Sequence, residues 1–257
     1  MNWLIEEEEG AVIIKMSSNK LNIMNDTFFT DLNNAFNIVD REYPDMPVVL
    51  TSVGNVFSAG FDLDHCFPIF ENGDRAEVQE WFDQARNSIL RVFEFDRPLI
   101  GAINGHAIAG GLILALCCDM RFAVSTNAKF GLNEITIGFP MPSVFAEIIK
   151  YSLGNRRAEE ILFKGILYNP DDALKLGIFH DITDHHNLMD MAVGYASEFN
   201  NDNMHAYSIA KKVMRSEVLD KIHRISDLLD NNISESLSSE KTVNSLRKIL
   251  KSLKKNN

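Results

Sequence analysis

The sequence predicts an α/β fold followed by a helical C-terminal region, and three observations carry that expectation. Over residues 1–200, short apolar runs alternate with stretches in which apolar residues recur every three or four positions, as strands covered by helices require. From Met204 onward there is no Gly or Pro, and Leu219, Ile222, Ile225, Leu229, Ile233 and Leu237 follow helical spacing. Charge breaks at the same place: residues 1–200 hold 14 Lys+Arg against 29 Asp+Glu, net −15, and residues 201–257 hold 11 against 7, net +4. The 257 residues suffice for one large core without staples. The expected organisation is a core over residues 1–200 and a helical region over 201–257.

Each element has its own warrant. The Glu6–Glu9 run reads as a solvated strand edge approaching a hairpin. Ala11-Val12-Ile13-Ile14 and Val48-Val49-Leu50 read as buried strands. Thr27 to Tyr43 reads as a helix with Asn25 or Asp26 as N-cap and Phe28, Leu32, Ala35, Phe36 and Val39 on one face. Pro98 to Ile103 is a strand ending at Asn104-Gly105, Leu112 to Cys118 an apolar helix, and Met120 to Val124 another strand. Arg156 to Lys164 and Pro170 to Leu176 read as helices, the second ended by Gly177 in a left-handed cap. No sequence repeat or low-complexity segment shows.

Composition narrows the function. The net charge of −11 opposes a phosphate backbone, so no nucleic-acid partner is expected. Three cysteines, Cys66, Cys117 and Cys118, are an odd number with two adjacent; they read as reduced thiols in a cytoplasmic location. The longest apolar run, Ala107 to Cys118, is 12 residues and contains two glycines, whereas a membrane span needs roughly 20, so no membrane partner is expected. The four-Glu run stands where a secretory leader would be basic, and Lys255-Asn256-Asn257 is no peroxisomal address.

There is no P-loop and no dinucleotide fingerprint. Val56 replaces the first glycine of a nucleophile elbow around Ser58. His180, Asp181, Asp184, His185 and His186 cluster, but they read as a solvated loop, and no metal is expected. Two glycine-bearing turns follow strands: Val56 to Leu63, and Asn104 to Gly111, the latter opening the apolar helix. Small residues admit a ligand to the backbone, and amides freed there favour developing negative charge; otherwise both turns are packing corners. Glu134 is a lone acid within Phe130 to Gly138. Desolvation would raise its pKa and suit it as a general base; otherwise it is a surface or helix-terminal carboxylate.

In this order and spacing, three segments resemble the crotonase superfamily, the enoyl-CoA hydratase/isomerase family. They are Phe57-Ser58-Ala59-Gly60-Phe61-Asp62-Leu63, Ile103 to Ala123, and Phe130 to Pro140, within a likeness that spans nearly the whole chain. The resemblance implies a crotonase (ClpP-like) spiral of ββα units with a helical C-terminal region serving oligomerisation and active-site cover, in a homotrimer or dimer of trimers. It implies oxyanion donors at Ala59 and Gly110 and a coenzyme A thioester site lined by Ser58, Gly60, Phe61, Asp62, Leu63, Ala107 and Ala109. Coenzyme A would enter as part of the substrate, with no separate cofactor.

Of the two glutamates that hold water in family hydratases, one falls on Glu134 and the other on Ile113. An aliphatic side chain can neither accept nor donate a proton, so water addition loses a partner. A double-bond shift needs only one carboxylate and an oxyanion hole. The resemblance therefore favours a Δ3,Δ2-enoyl-CoA isomerase; the alternatives are a hydratase, another acyl-CoA enzyme such as a hydrolase or decarboxylase, or a non-catalytic member. Phe139, Pro140 and Met141 are expected along the acyl channel, and Lys20 and the basic tail are candidates for the coenzyme A phosphates. Asp62 reads as a turn-fixing carboxylate, His106 as a packed histidine, and Asp119 with Arg121 as a structural pair.

Overall fold

The structure, a computed structural model, describes residues 3–199, 201–229 and 232–255. It opens with a hairpin of β1 (Leu4–Glu8) and β2 (Ala11–Met16), turned at Glu9-Gly10. The Glu run lies on that exposed edge strand, and β2 is almost wholly buried, which explains its unbroken apolar run. Helix α1 (Asp26–Glu42) is capped by the Asn25 side chain, which accepts from the Phe28 N–H at 3.1 Å.

Three strand–strand–helix units follow. Strand β3 (Val48–Ser52) passes to β4 (Val56–Ser58) and then to α2 (Leu63–Asn72) and α3 (Arg75–Phe93). Strand β5 (Leu99–Ile103) passes to β6 (His106–Ile108) and α4 (Gly110–Leu116). Strand β7 (Met120–Val124) passes to β8 (Phe130–Gly131) and α5 (Glu134–Ile137). The first strand of each unit joins the large sheet, of order β1-β2-β3-β5-β7-β9, which is parallel from β2 on and closed by β9 (Asp181–Thr183). The second strand joins a small parallel sheet, β4-β6-β8. Each unit thus steps between the same two sheets, the expected spiral.

Helices α2 and α3 had no counterpart in the sequence reading. Yet Asp74 and Glu77 form a full capping box, and Val78, Trp81, Phe82, Ala85 and Ile89 line the buried face of α3. The remaining helices are α6 (Ser143–Leu153), α7 (Asn155–Lys164), α8 (Pro170–Lys175) and α9 (Leu188–Ala196). Gly177 takes the left-handed conformation expected of it, φ 74°. The helical tail consists of α10 (Asn201–Leu229), α11 (Ile233–Leu237) and α12 (Glu240–Lys255). Ile222, Ile233 and Leu237 are buried as their spacing implies, and the side chains at 225 and 229 lie outside the described residues. Helix α10 packs on α6, α11 on α3, and α12 on α2 and α5. Among the described residues no helix is long and apolar enough to cross a membrane.

Candidate active site

A cavity of about 480 Å³ opens where the three units meet α12. The first unit gives Ala59, Phe61, Asp62, Leu63 and Asp64, the second Ile108 and Ala109, and the third Asn133, Glu134, Ile137 and Phe139. Leu21 and Ile23 flank it, and α12 covers it with Ile249, Leu250 and Leu253. Phe61 packs against Trp81 and Phe139, with ring centroids 5.3 and 5.9 Å away, so the wall behind the site is aromatic.

The two glycine turns meet. Gly60 has φ 86°, and a Cβ there would stand 2.9 Å from the Ile108 carbonyl oxygen and 3.2 Å from the Gly110 nitrogen. The absence of a side chain is what brings the Gly60–Phe61 peptide beside the first turn of α4. Met24 bridges this strand by donating to Gly60 C=O at 2.8 Å and accepting from Asp62 N–H at 2.9 Å. That pattern leaves the Phe61 N–H on the opposite side from Met24, with no partner among the described residues. Gly110 is the first residue of α4, so its N–H has no intrahelical acceptor. Ala109 holds φ 52°, ψ −126°, a strained conformation for a residue with a side chain.

One expectation is corrected here. The Ala59 N–H donates to Leu21 C=O at 3.1 Å and is spent within the fold, so the free amide of the first turn is that of Phe61.

Glu134 is 5% exposed, and its Oε2 has no hydrogen-bond partner among the described residues. Burial raises its pKa to about 7, outweighing the smaller pull of its own backbone N–H. The neighbouring Asn133 side chain does not cap α5; its Oδ1 is likewise buried without a partner. The cavity's other carboxylates play different parts. Asp62 caps α2, accepting from His65 N–H at 3.2 Å, and Asp64 is exposed.

Several expected lining residues lie outside the cavity wall. Ser58 is fully buried; its hydroxyl donates to Asn22 C=O at 2.7 Å and accepts from Gly60 N–H at 3.2 Å, so it braces the turn. Gly60 acts through close approach, and Ala107 is a buried strand residue whose N–H donates to Lys129 C=O. Ile113 is 1% exposed inside α4 and brings no carboxylate to the cavity. Pro140 and Met141 fall beyond the wall that Phe139 forms. Lys20 is exposed, next to Leu21 at the rim. His106 Nδ1 accepts from Lys129 N–H at 3.0 Å, a packed histidine as expected. Asp119 pairs with Lys211 and Arg215 rather than Arg121, because α10 brings those cations to it, while Arg121 donates to Ile178 and Cys118 carbonyls. Among the described residues, the histidine cluster does not bring three metal-ligating side chains together. Cover by the helical tail is expected from the sequence, but Asn133 and the α12 residues Ile249, Leu250 and Leu253 are not named there, although Asn133 adjoins Glu134 and the three keep helical spacing.

A desolvated carboxylate in a cavity bounded by two glycine turns, on interleaved parallel sheets, defines a crotonase-type enzyme site. The chain belongs to the enoyl-CoA hydratase/isomerase family, whose model matches residues 6–255. It is 27% identical to mouse mitochondrial enoyl-CoA delta isomerase 1 over 256 residues, covering 98% of this chain and 87% of that one. It is also 27% identical to a crotonyl-CoA hydratase of Syntrophomonas wolfei, covering 73% and 71%. The crystal structure of human mitochondrial Δ3,Δ2-enoyl-CoA isomerase superposes with a TM-score of 0.92 at 26% identity, covering 100% of both chains.

Proposed function

We propose that this protein is a Δ3,Δ2-enoyl-CoA isomerase. One observation carries the reading: Glu134 is a buried carboxylate with one oxygen unpartnered among the described residues, in a cavity to which Ile113 adds no second acid. The thioester carbonyl of a 3-enoyl-CoA lies between the Phe61 and Gly110 N–H groups. Glu134 takes a proton from C2, and the C–H electron pair forms the C1–C2 double bond of an enolate whose oxygen the two amides hold. The neutral Glu134 returns the proton at C4. The C3–C4 pair forms the new C4–H bond, the C1–C2 pair moves to C2–C3, and an oxygen lone pair re-forms the carbonyl. Nothing is oxidised or added, so coenzyme A enters only as part of the substrate.

The test is Glu134→Gln assayed with 3-hexenoyl-CoA. Loss of the proton carrier lowers kcat by about 10²–10⁴-fold. Retention of most activity, or water addition to 2-enoyl-CoA by the wild-type enzyme at a comparable rate, overturns the reading.

The finer assignments belong to the same proposal. Lys20, exposed beside the cavity rim, is the candidate for a coenzyme A phosphate. A homotrimer or dimer of trimers is supported by exposed apolar side chains on α10, where Val213 and Met214 are 67% and 69% exposed. A reducing, cytoplasmic location is supported by three buried free cysteines, whose thiol pKa values burial pushes up, Cys118 to about 12.

A further inference from the structure

Helix α4 carries the Gly110 amide at one end. Beyond its other end, Cys118 borders a second cavity of about 450 Å³ that shares no lining residue with the first. Three cations on that cavity are deeply buried: Arg121, Lys211 and Arg215 are 4%, 8% and 5% exposed. Asp119 faces them and is saturated. It accepts from Lys211 Nζ at 2.6 Å, the Arg215 guanidinium at 2.7 Å, Leu99 N–H at 2.8 Å and the Tyr207 hydroxyl.

The cations' other partners are main-chain carbonyls. Lys211 donates to Arg97 C=O at 2.7 Å and Arg121 to Ile178 and Cys118 C=O at 2.7 and 2.9 Å. Arg215 donates to Phe93 C=O and to Cys117 C=O at 3.2 Å. Phe93 and Cys117 end α3 and α4, and a helix C-terminus supplies about half a negative charge. Three cations against one carboxylate and two such ends leave the pocket positive inside a chain of net charge −11. Burial holds the Lys211 pKa down to about 8, against the opposing pull of Asp119.

The donors are not used up. A guanidinium has five N–H groups and an ammonium three, more than these partners take. His180 stands at the mouth, and its Nδ1 accepts from Arg121 N–H at 3.0 Å. The neutral ring therefore carries its proton on Nε2, another donor. A cavity walled by spare donors and excess positive charge is complementary to an anion.

We propose that the pocket formed by Arg121, Lys211, Arg215 and His180 binds a small oxyanion group: a phosphate, sulfate or carboxylate. The test uses the full chain, titrated with phosphate, sulfate, acetate or chloride at matched ionic strength, reading heat of binding and the thermal midpoint. Phosphate or sulfate binds saturably and raises the midpoint where chloride does not, and the acetate arm shows whether a carboxylate also serves. Arg121→Met weakens the phosphate Kd at least about tenfold, the worth of one charge-assisted hydrogen bond. His180→Phe, which leaves the Asp119 network intact, weakens it several-fold and decides the matter should Arg121→Met not fold. Stabilisation no greater than that from chloride, or binding unchanged in the folded variants, overturns the proposal.

Discussion

A carboxylate that is 5% exposed and keeps one oxygen without a partner costs the folded state free energy whenever it is ionised. For Glu134 the sign is fixed by the raised pKa of about 7 against the ordinary 4.5. Between those values the folded chain binds the extra proton, so stability falls as pH rises from about 4.5 to 7 and stays reduced above. Glu134→Gln removes the penalty. Urea denaturation should show the variant more stable than wild type by up to about 3 kcal/mol at pH 8 and nearly equal at pH 4. A difference that does not change with pH would sink the argument. In the same window the enzyme gains its base, so wild-type kcat/KM should climb through about pH 7 on its acid side. Glu134 was legible in the sequence because it is the one acid in an apolar stretch. The Phe61 amide was not, since the choice between neighbouring amides depends on Leu21 and Met24 occupying the strand's other side.

The strands divide by length. Strands of five or six residues and the long α1 announce themselves through apolar runs or a helical face. The small sheet does not, because β4, β6 and β8 have three, three and two residues, too few for any period. Yet that sheet sets the site, since it brings the end of β4 against the start of α4. Gly60→Ala tests the juxtaposition. At φ 86° the new Cβ would press on the Ile108 carbonyl oxygen at 2.9 Å and on the Gly110 nitrogen. The backbone conformation alone costs about 1–3 kcal/mol. Displacing an oxyanion donor should lower kcat by about 10²-fold or more. Wild-type kcat in a variant of reduced stability would mean that the two turns need not touch for catalysis.

At the scale of the molecule, a structural repeat exists without a sequence repeat. The three units share a path between two sheets, and that path asks only for a buried strand, a tight turn and a second short strand, not for the same side chains. The break in charge and Gly/Pro content near residue 200 was visible, and α10 begins there. How the tail is held was not visible, because Asp119 lies 92 residues from Lys211 and 96 from Arg215. These buried pairs fasten α10 to Asp119 before β7, beside the Lys221–Glu147 pair that ties it to α6. Asp119→Ala leaves two cations, each 6% exposed at the side chain, without a counter-charge, and breaking such a pair costs about 3–5 kcal/mol. At about 2–4 °C per kcal/mol for a chain of this class, the thermal midpoint should fall by roughly 6–20 °C. Removing a cation as well, in Asp119→Ala with Lys211→Met, relieves part of the imbalance, so the double variant should be more stable than the two single losses added together. Strict additivity, or a midpoint within about 2 °C of wild type for Asp119→Ala, would show instead that apolar packing of Ile222 and its neighbours holds α10 in place without the ion pairs.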